Sequence, residues 1–183
     1  MRAVRTDMHT LDDLGSRICI LGPSNSGKST LAQAIARKRG LSVIHLDQLF
    51  HQPHTDWQPR PEEEFLRLHD QAIQQRQWVM EGNYTSSINR RLERATGFIL
   101  LDLSTATSLF RYFRRTWLER DRHGALEGGQ DSVKWRMIHH ITVTTPANRR
   151  RYAALYERIA LPKVKLATMA DLRRFYRIEQ LGR

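Results

Sequence analysis

The stretch Gly22-Pro23-Ser24-Asn25-Ser26-Gly27-Lys28-Ser29-Thr30 has the spacing G-x-x-x-x-G-K-S with a second hydroxyl residue behind it. A polyphosphate is wrapped by successive backbone N–H groups only where the chain can turn tightly and come close, which Gly22 and Gly27 permit. Lys28 then offers a mobile cation to β- and γ-phosphates, and Ser29 a hydroxyl to a Mg²⁺ ion bridging them. The flanks agree with the motif. Ile18-Cys19-Ile20-Leu21 is an apolar run suited to a buried strand, Leu31, Ala34 and Ile35 share one helical face, and Gly40 is a natural stop. The loop is therefore expected between a strand and a helix whose N-terminus faces the anion, with all nine residues from Gly22 to Thr30 in the nucleotide site.

Working outward, Ser42-Val43-Ile44-His45 reads as a second strand that delivers Asp47 beyond its carboxyl end, where ligands of open α/β sheets bind. An irregular connection follows, with His51, His54 and Trp57 among its prolines, and the histidines read as loop residues rather than a metal site. Pro61 with Glu62, Glu63 and Glu64 starts a helix, on which Phe65, Leu68, Ala72 and Ile73 form the apolar stripe. Trp78-Val79-Met80 is a third strand running into Glu81-Gly82-Asn83-Tyr84, so Glu81 is a second acid expected near Mg²⁺. Ser87 to Ala95 reads as a short basic helix, Gly97 to Leu101 as a fourth strand closed by Asp102, and Val164 to Ala167 as a fifth. Thr168 and Asp171 have the spacing of a capping box for a last helix packed through Leu172, Phe175 and Tyr176. Short strands alternating with helices predict a parallel sheet in a three-layer α/β/α P-loop NTPase.

The 183 residues suit one domain, with no run of about 18 apolar residues to span a membrane. Residues 1–13 do not read as a secretory signal, and the lone Cys19 permits no disulfide within one chain, so a cytoplasmic setting is expected. Net charge is +11, carried by 25 Arg and five Lys. Either a nucleic acid or a clamped phosphate would account for that excess. Five arginines crowd between Arg111 and Arg122, and Arg149, Arg150 and Arg151 are consecutive. Leu109, Phe113 and Trp117 mark the buried face of a helix on which Arg111 and Arg115 lie together.

From about Arg17 onward the chain resembles the small P-loop kinases of the adenylate-kinase-like superfamily, and within it the topology modulation proteins and adenylate-kinase-like ATPases. The likeness is carried by His45-Leu46-Asp47, by Trp57 with Pro59-Arg60-Pro61, by Trp78 through Tyr84, and by Leu101-Asp102 through Arg115. The resemblance implies a helical lid over residues 111–150, Arg111 against the nucleotide base and Arg115 on the transferring phosphates. Arg114, Arg120, Arg122 and one of Arg149, Arg150 or Arg151 are implied as helpers. Two positions depart from the nucleoside-monophosphate kinases: Thr85 and Phe50 stand where those enzymes place phosphate-gripping arginines. That turns the expectation away from a nucleotide acceptor, and leaves Arg60 and Arg90 as the arginines to substitute.

The expected activity is phosphoryl transfer from ATP, with Mg²⁺, to a small acceptor such as a nucleoside, nucleotide or hydroxylated metabolite. Lys28, Asp47 and Arg115 are the catalytic candidates and Ser29 the metal ligand, with Asp47 as general base if the acceptor is a hydroxyl. The competing expectations are a nucleic-acid-associated ATPase and a nucleotide-binding regulatory protein without turnover.

Overall fold

The computed structural model describes residues 9–55, 57–104, 106–108 and 145–182, of which 145–147 by their backbone alone. In chain order the elements are α1 (Leu11–Leu14), β1 (Arg17–Leu21), α2 (Lys28–Arg39), β2 (Ser42–His45), α3 (Leu46–Phe50), α4 (Glu62–Ile73), β3 (Trp78–Glu81), α5 (Ile88–Arg94), β4 (Gly97–Leu101), α6 (Thr145–Arg158), β5 (Lys163–Leu166) and α7 (Met169–Ile178). The five strands form one parallel sheet in the order β2-β3-β1-β4-β5. This is the expected three-layer α/β/α architecture.

Alternation along β1 divides the core. Ile18 and Ile20 face the layer that holds Leu11, Leu31, Ile35 and Phe175, while Cys19 and Leu21 face Phe65, Trp78, Met80, Phe98 and Tyr152. Strands covered on both faces must be apolar throughout, and β1, β3 and β4 are buried along nearly their whole length. Helix ends follow local chemistry. Thr168 and Asp171 cap α7 reciprocally, and Thr10 and Asp13 do the same for α1, a short helix that sequence reading passes over. Glu62, Glu63 and Glu64 occupy the first turn of α4, where the helix dipole favours anions.

Local details refine the expectation. Asp47, expected beyond the carboxyl end of the second strand, stands there in the first turn of the short helix α3. The buried face of α4 is completed by His69, with Leu68 only half-buried. The basic helix begins at Ile88, after a 3₁₀ turn over Thr85–Ser87. The expected lid over 111–150 lies outside the described residues, apart from the start of α6. No helix of the described residues is long and apolar enough to cross a membrane.

Candidate functional site

β1 lies at the centre of the sheet with β3 on one side and β4 on the other. The loop that leaves it therefore opens at the switch point, beyond the carboxyl ends of the strands, where open α/β sheets bind ligands. Gly22 has φ 153°, and a Cβ placed on it would lie 2.4 Å from the Leu101 carbonyl oxygen. No other residue fits that approach to β4. Asn25 and Gly27 are also left-handed, with φ 61° and 97°, and α2 starts directly behind them at Lys28. The Lys28 ammonium folds back and donates to the Pro23 carbonyl at 2.9 Å. The Ser26 hydroxyl is buried in the same loop and has no hydrogen-bond partner among the described residues.

Glu81 sits at the end of β3, opposite Ile20 of β1 and His45 of β2 in the sheet register. Its Oε1 accepts from the Ser29 hydroxyl at 3.0 Å and from His45 Nδ1 at 2.8 Å. The side chain is almost fully buried. Burial alone would raise its pKa, but the His45 hydrogen bond, the Lys28 charge and the Ser29 hydroxyl together outweigh it, and the carboxyl is held below the usual range. The site thus keeps an ionised carboxylate in contact with the hydroxyl of the phosphate-loop serine.

The next three residues secure the surroundings. Gly82 has φ 133°, and a Cβ there would meet Leu46 Cβ at 2.7 Å. Its carbonyl accepts from Arg91 Nη2 at 2.9 Å, and Arg91 Nη1 reaches the Ser87 hydroxyl at 3.4 Å. Arg91 is 1% exposed, and burial lowers its pKa from the ordinary arginine value. The Asn83 carboxamide accepts from the Gly22 N–H at 3.2 Å and donates to the Gly22 carbonyl at 2.7 Å. The Tyr84 hydroxyl donates to Asp47 Oδ1 at 2.6 Å. Burial and the negative field of Asp47 and Glu81 raise the Tyr84 pKa far above the phenol range, so it remains a donor.

Lys28, Ser29, Asp47 and Glu81 are therefore gathered at one end of the sheet. Pro23 is buried, Ser24 half-buried and Thr30 exposed. Arg149 is brought to the end of β4, where its guanidinium donates to the Asp102 carboxylate at 2.8 Å and to the Asp102 carbonyl at 3.2 Å, with Lys165 on the other carboxylate oxygen at 3.4 Å. Arg150 and Arg151 are exposed. Arg111, Arg114, Arg115, Arg120 and Arg122 lie outside the described residues. Arg60 is engaged by Glu64 and by the carbonyls of Gln48, Leu49 and His51, and Arg90 pairs with Asp70 at 2.5 Å. His51 stacks edge-on against Phe50 and Trp57. No cluster of three or more His, Cys, Asp or Glu suited to a metal ion occurs among the described residues. A concavity of about 600 Å³ lined by Glu63, Leu66, Arg67, Asp70 and Arg90 shares no residue with the phosphate loop.

Sequence reading assigns no role to His45, Asn83, Tyr84 or Arg91. For Arg91 a signal exists: Ile88, Arg91 and Ala95 recur at i, i+3 and i+7, which puts the arginine on the buried face of α5. For Asn83 and Tyr84 no periodicity helps, because their partners are 61 and 37 residues away.

No protein-family model and no curated protein sequence matches the chain. Similar solved structures exist. A gluconokinase from Sinorhizobium meliloti 1021 aligns over 91% of this chain and 95% of its own at 17% identity, with a TM-score of 0.48. A shikimate kinase from Acinetobacter baumannii, in complex with shikimate, aligns over 90% of this chain and 91% of its own at 13% identity, with a TM-score of 0.57. At that identity the second likeness speaks for the fold.

Proposed function

We propose that the chain is an ATP- and Mg²⁺-dependent phosphotransferase that moves the γ-phosphate of ATP to a small acceptor in the cytoplasm. The observation that carries the reading is the contact of Ser29 with a buried, ionised Glu81 inside a complete phosphate loop. A nucleotide-binding loop alone would not require a carboxylate there.

The residues fit the groups they would hold. The Ser26 hydroxyl has no partner among the described residues, Lys28 is satisfied by a loop carbonyl that a phosphate can replace, and helix α2 directs its N-terminal amides at the loop. Ser29 and Glu81 supply hard oxygen donors, and Mg²⁺ characteristically takes one or two protein oxygens beside substrate phosphates and water. When bound, that ion would neutralise charge on the β- and γ-phosphates. Lys28 and the loop amides hold the same phosphates, and Arg115, with Arg111 against the base, completes the site in the manner the family resemblance implies. Phosphoryl transfer asks little more of a protein than such positioning and charge stabilisation.

Asp47 is the general base in this reading. The acceptor O–H gives its proton to the carboxylate, the acceptor oxygen bonds to the γ-phosphorus, and the bond to the β,γ-bridging oxygen breaks to leave ADP. Tyr84 keeps one oxygen of Asp47 in place through its hydrogen bond.

The test is ATP turnover with Mg²⁺ across a panel of nucleosides, nucleotides and hydroxylated metabolites, with Lys28→Ala as control. An acceptor that raises turnover and is recovered phosphorylated supports the reading. Turnover that no acceptor raises but DNA or RNA stimulates overturns it in favour of a nucleic-acid-associated ATPase.

A further inference from the structure

Four rings follow one another from Asp47 outward. Tyr84, which holds the Asp47 carboxylate, lies 4.6 Å from Phe50 between centroids; Phe50 lies 4.9 Å from His51, and His51 5.1 Å from Trp57. All four are half-buried, and Phe50 and Tyr84 pack on the buried ring of Phe65 at 5.3 and 5.2 Å between centroids. The outer end is held by a small hairpin, in which Gln52 donates to the Gln58 carbonyl at 2.9 Å and Arg60 to the Phe50 carbonyl at 2.8 Å. Inside it Trp57 adopts φ 58°, a left-handed conformation that a bulky residue takes only where its surroundings over-determine it.

The polar group at the inner end is engaged through one of its two oxygens. Asp47 Oδ1 receives the Tyr84 hydroxyl, while Oδ2 has no partner among the described residues. That oxygen can accept a hydroxyl. An anionic group in the same place would meet the Asp47 carboxylate in the negative field that Asp47 and Glu81 set up at Tyr84, and like charges so placed repel. Arg60 and Arg90, the arginines left to substitute for the missing phosphate grips, are engaged elsewhere, Arg60 with Glu64 and loop carbonyls and Arg90 with Asp70. Aromatic faces, by contrast, bind the apolar face of a ring without needing charge.

We propose that Asp47 with the row Tyr84, Phe50, His51 and Trp57 forms the acceptor site, and that it takes an uncharged, ring-bearing alcohol such as a nucleoside or a pyranose. The assignment rests on the phosphotransferase reading above. The alcohol lies against the rings with one hydroxyl on Asp47 Oδ2, the oxygen that then becomes phosphorylated as its proton passes to the carboxylate.

Equilibrium binding tests it without requiring transfer. The full chain, saturated with Mg²⁺ and a non-hydrolysable ATP analogue, is titrated calorimetrically with adenosine, thymidine and glucose, and with adenosine 5′-phosphate, thymidine 5′-phosphate and glucose 6-phosphate. At least one neutral member should bind at least tenfold more tightly than its phosphate. Trp57→Gly, which accepts the left-handed backbone, should weaken that binding about tenfold and leave the ATP analogue's affinity unchanged, and Trp57→Phe should retain most of it. Tighter binding of the phosphates, no binding of any neutral member, or indifference to Trp57→Gly overturns the proposal. Binding of a neutral member that then receives no phosphate from ATP upholds the site and sinks the phosphotransferase reading.

Discussion

The Asn83 carboxamide occupies both backbone hydrogen-bonding groups of Gly22, accepting from the N–H at 3.2 Å and donating to the carbonyl at 2.7 Å. A side chain from the end of β3 thereby substitutes for a neighbouring strand just where β1 gives way to the phosphate loop. The first glycine of the loop is fixed from two sides, by Asn83 and by its close packing on Leu101.

Removing that clamp should affect the nucleotide before it affects the fold. Asn83→Ala leaves a half-buried N–H and carbonyl to find water, a loss of about 1–3 kcal/mol, which falls on the loop because β1 remains paired on both edges. Asn83→Asp keeps the acceptor but cannot donate, and sets a carboxylate against the Gly22 carbonyl and the incoming phosphates. ADP affinity should fall in the order wild type, Ala, Asp, with the melting temperature of both variants within a few degrees of wild type. Unchanged ADP affinity in both variants would deny Asn83 any part in shaping the loop.

Glu81 ties the site to pH. Its carboxyl is held below the usual range in the folded protein, so folding stabilises the anion. That contribution is complete above the ordinary glutamate pKa of about 4.3 and is lost as pH falls through the lower folded value. Glu81→Gln should therefore be less stable than wild type at neutral pH, by about 1–3 kcal/mol for the charge-assisted bonds it gives up. The gap should close in acid. Denaturant titrations of the pair at pH 7 and at pH 3–4 measure it, and a constant gap across that range would contradict the assignment of an ionised Glu81.

His69 has the opposite charge logic and the same direction. Its ring is fully buried on α4, with Nε2 unpartnered among the described residues. Burial pushes its pKa down, and Arg91 and Arg90 add to that against the opposing effect of Asp70. The unfolded chain therefore takes up a proton first as pH falls below about 6.5, and stability declines from there toward the lower folded value. His69→Phe, beside Phe65 at a ring distance of 6.1 Å, should flatten stability between pH 7 and pH 5. Chemical denaturation at those two pH values decides it.

Much of this architecture is legible in the chain, and the reason differs from one element to another. The phosphate loop declares itself because its geometry constrains residue type at fixed spacing, and β1, β3 and β4 because burial on both faces demands unbroken apolar runs. Thr168 with Asp171 is equally local. Asn83 on Gly22, Tyr84 on Asp47 and Glu81 on Ser29 are pairings between distant segments, and they follow from the order in which β3 comes to lie between β2 and β1. Nothing within a few residues of Asn83 encodes that order. His69 was hidden for another reason: its i+4 relation to Phe65 puts it on the buried stripe, but a histidine there does not register as apolar.

Gly82 separates steric from conformational cost. Both Gly82 and Gly40 have positive φ, 133° and 65°, but a Cβ on Gly82 would meet Leu46 at 2.7 Å and one on Gly40 would meet nothing within 4 Å. Gly40→Ala should cost about 1–2 kcal/mol, the left-handed penalty alone. Gly82→Ala adds overpacking against Leu46, worth a further 1–3 kcal/mol or so, at a more demanding φ. The strain would also reach the site, because relieving it moves the carbonyl that Arg91 holds and the two residues on either side, Glu81 and Asn83. ADP affinity should therefore drop in Gly82→Ala and stay at the wild-type level in Gly40→Ala, even where a stabilising buffer brings the two variants to equal melting temperature. Equal affinity in the two would mean that the 81–84 segment bends without disturbing the phosphate loop.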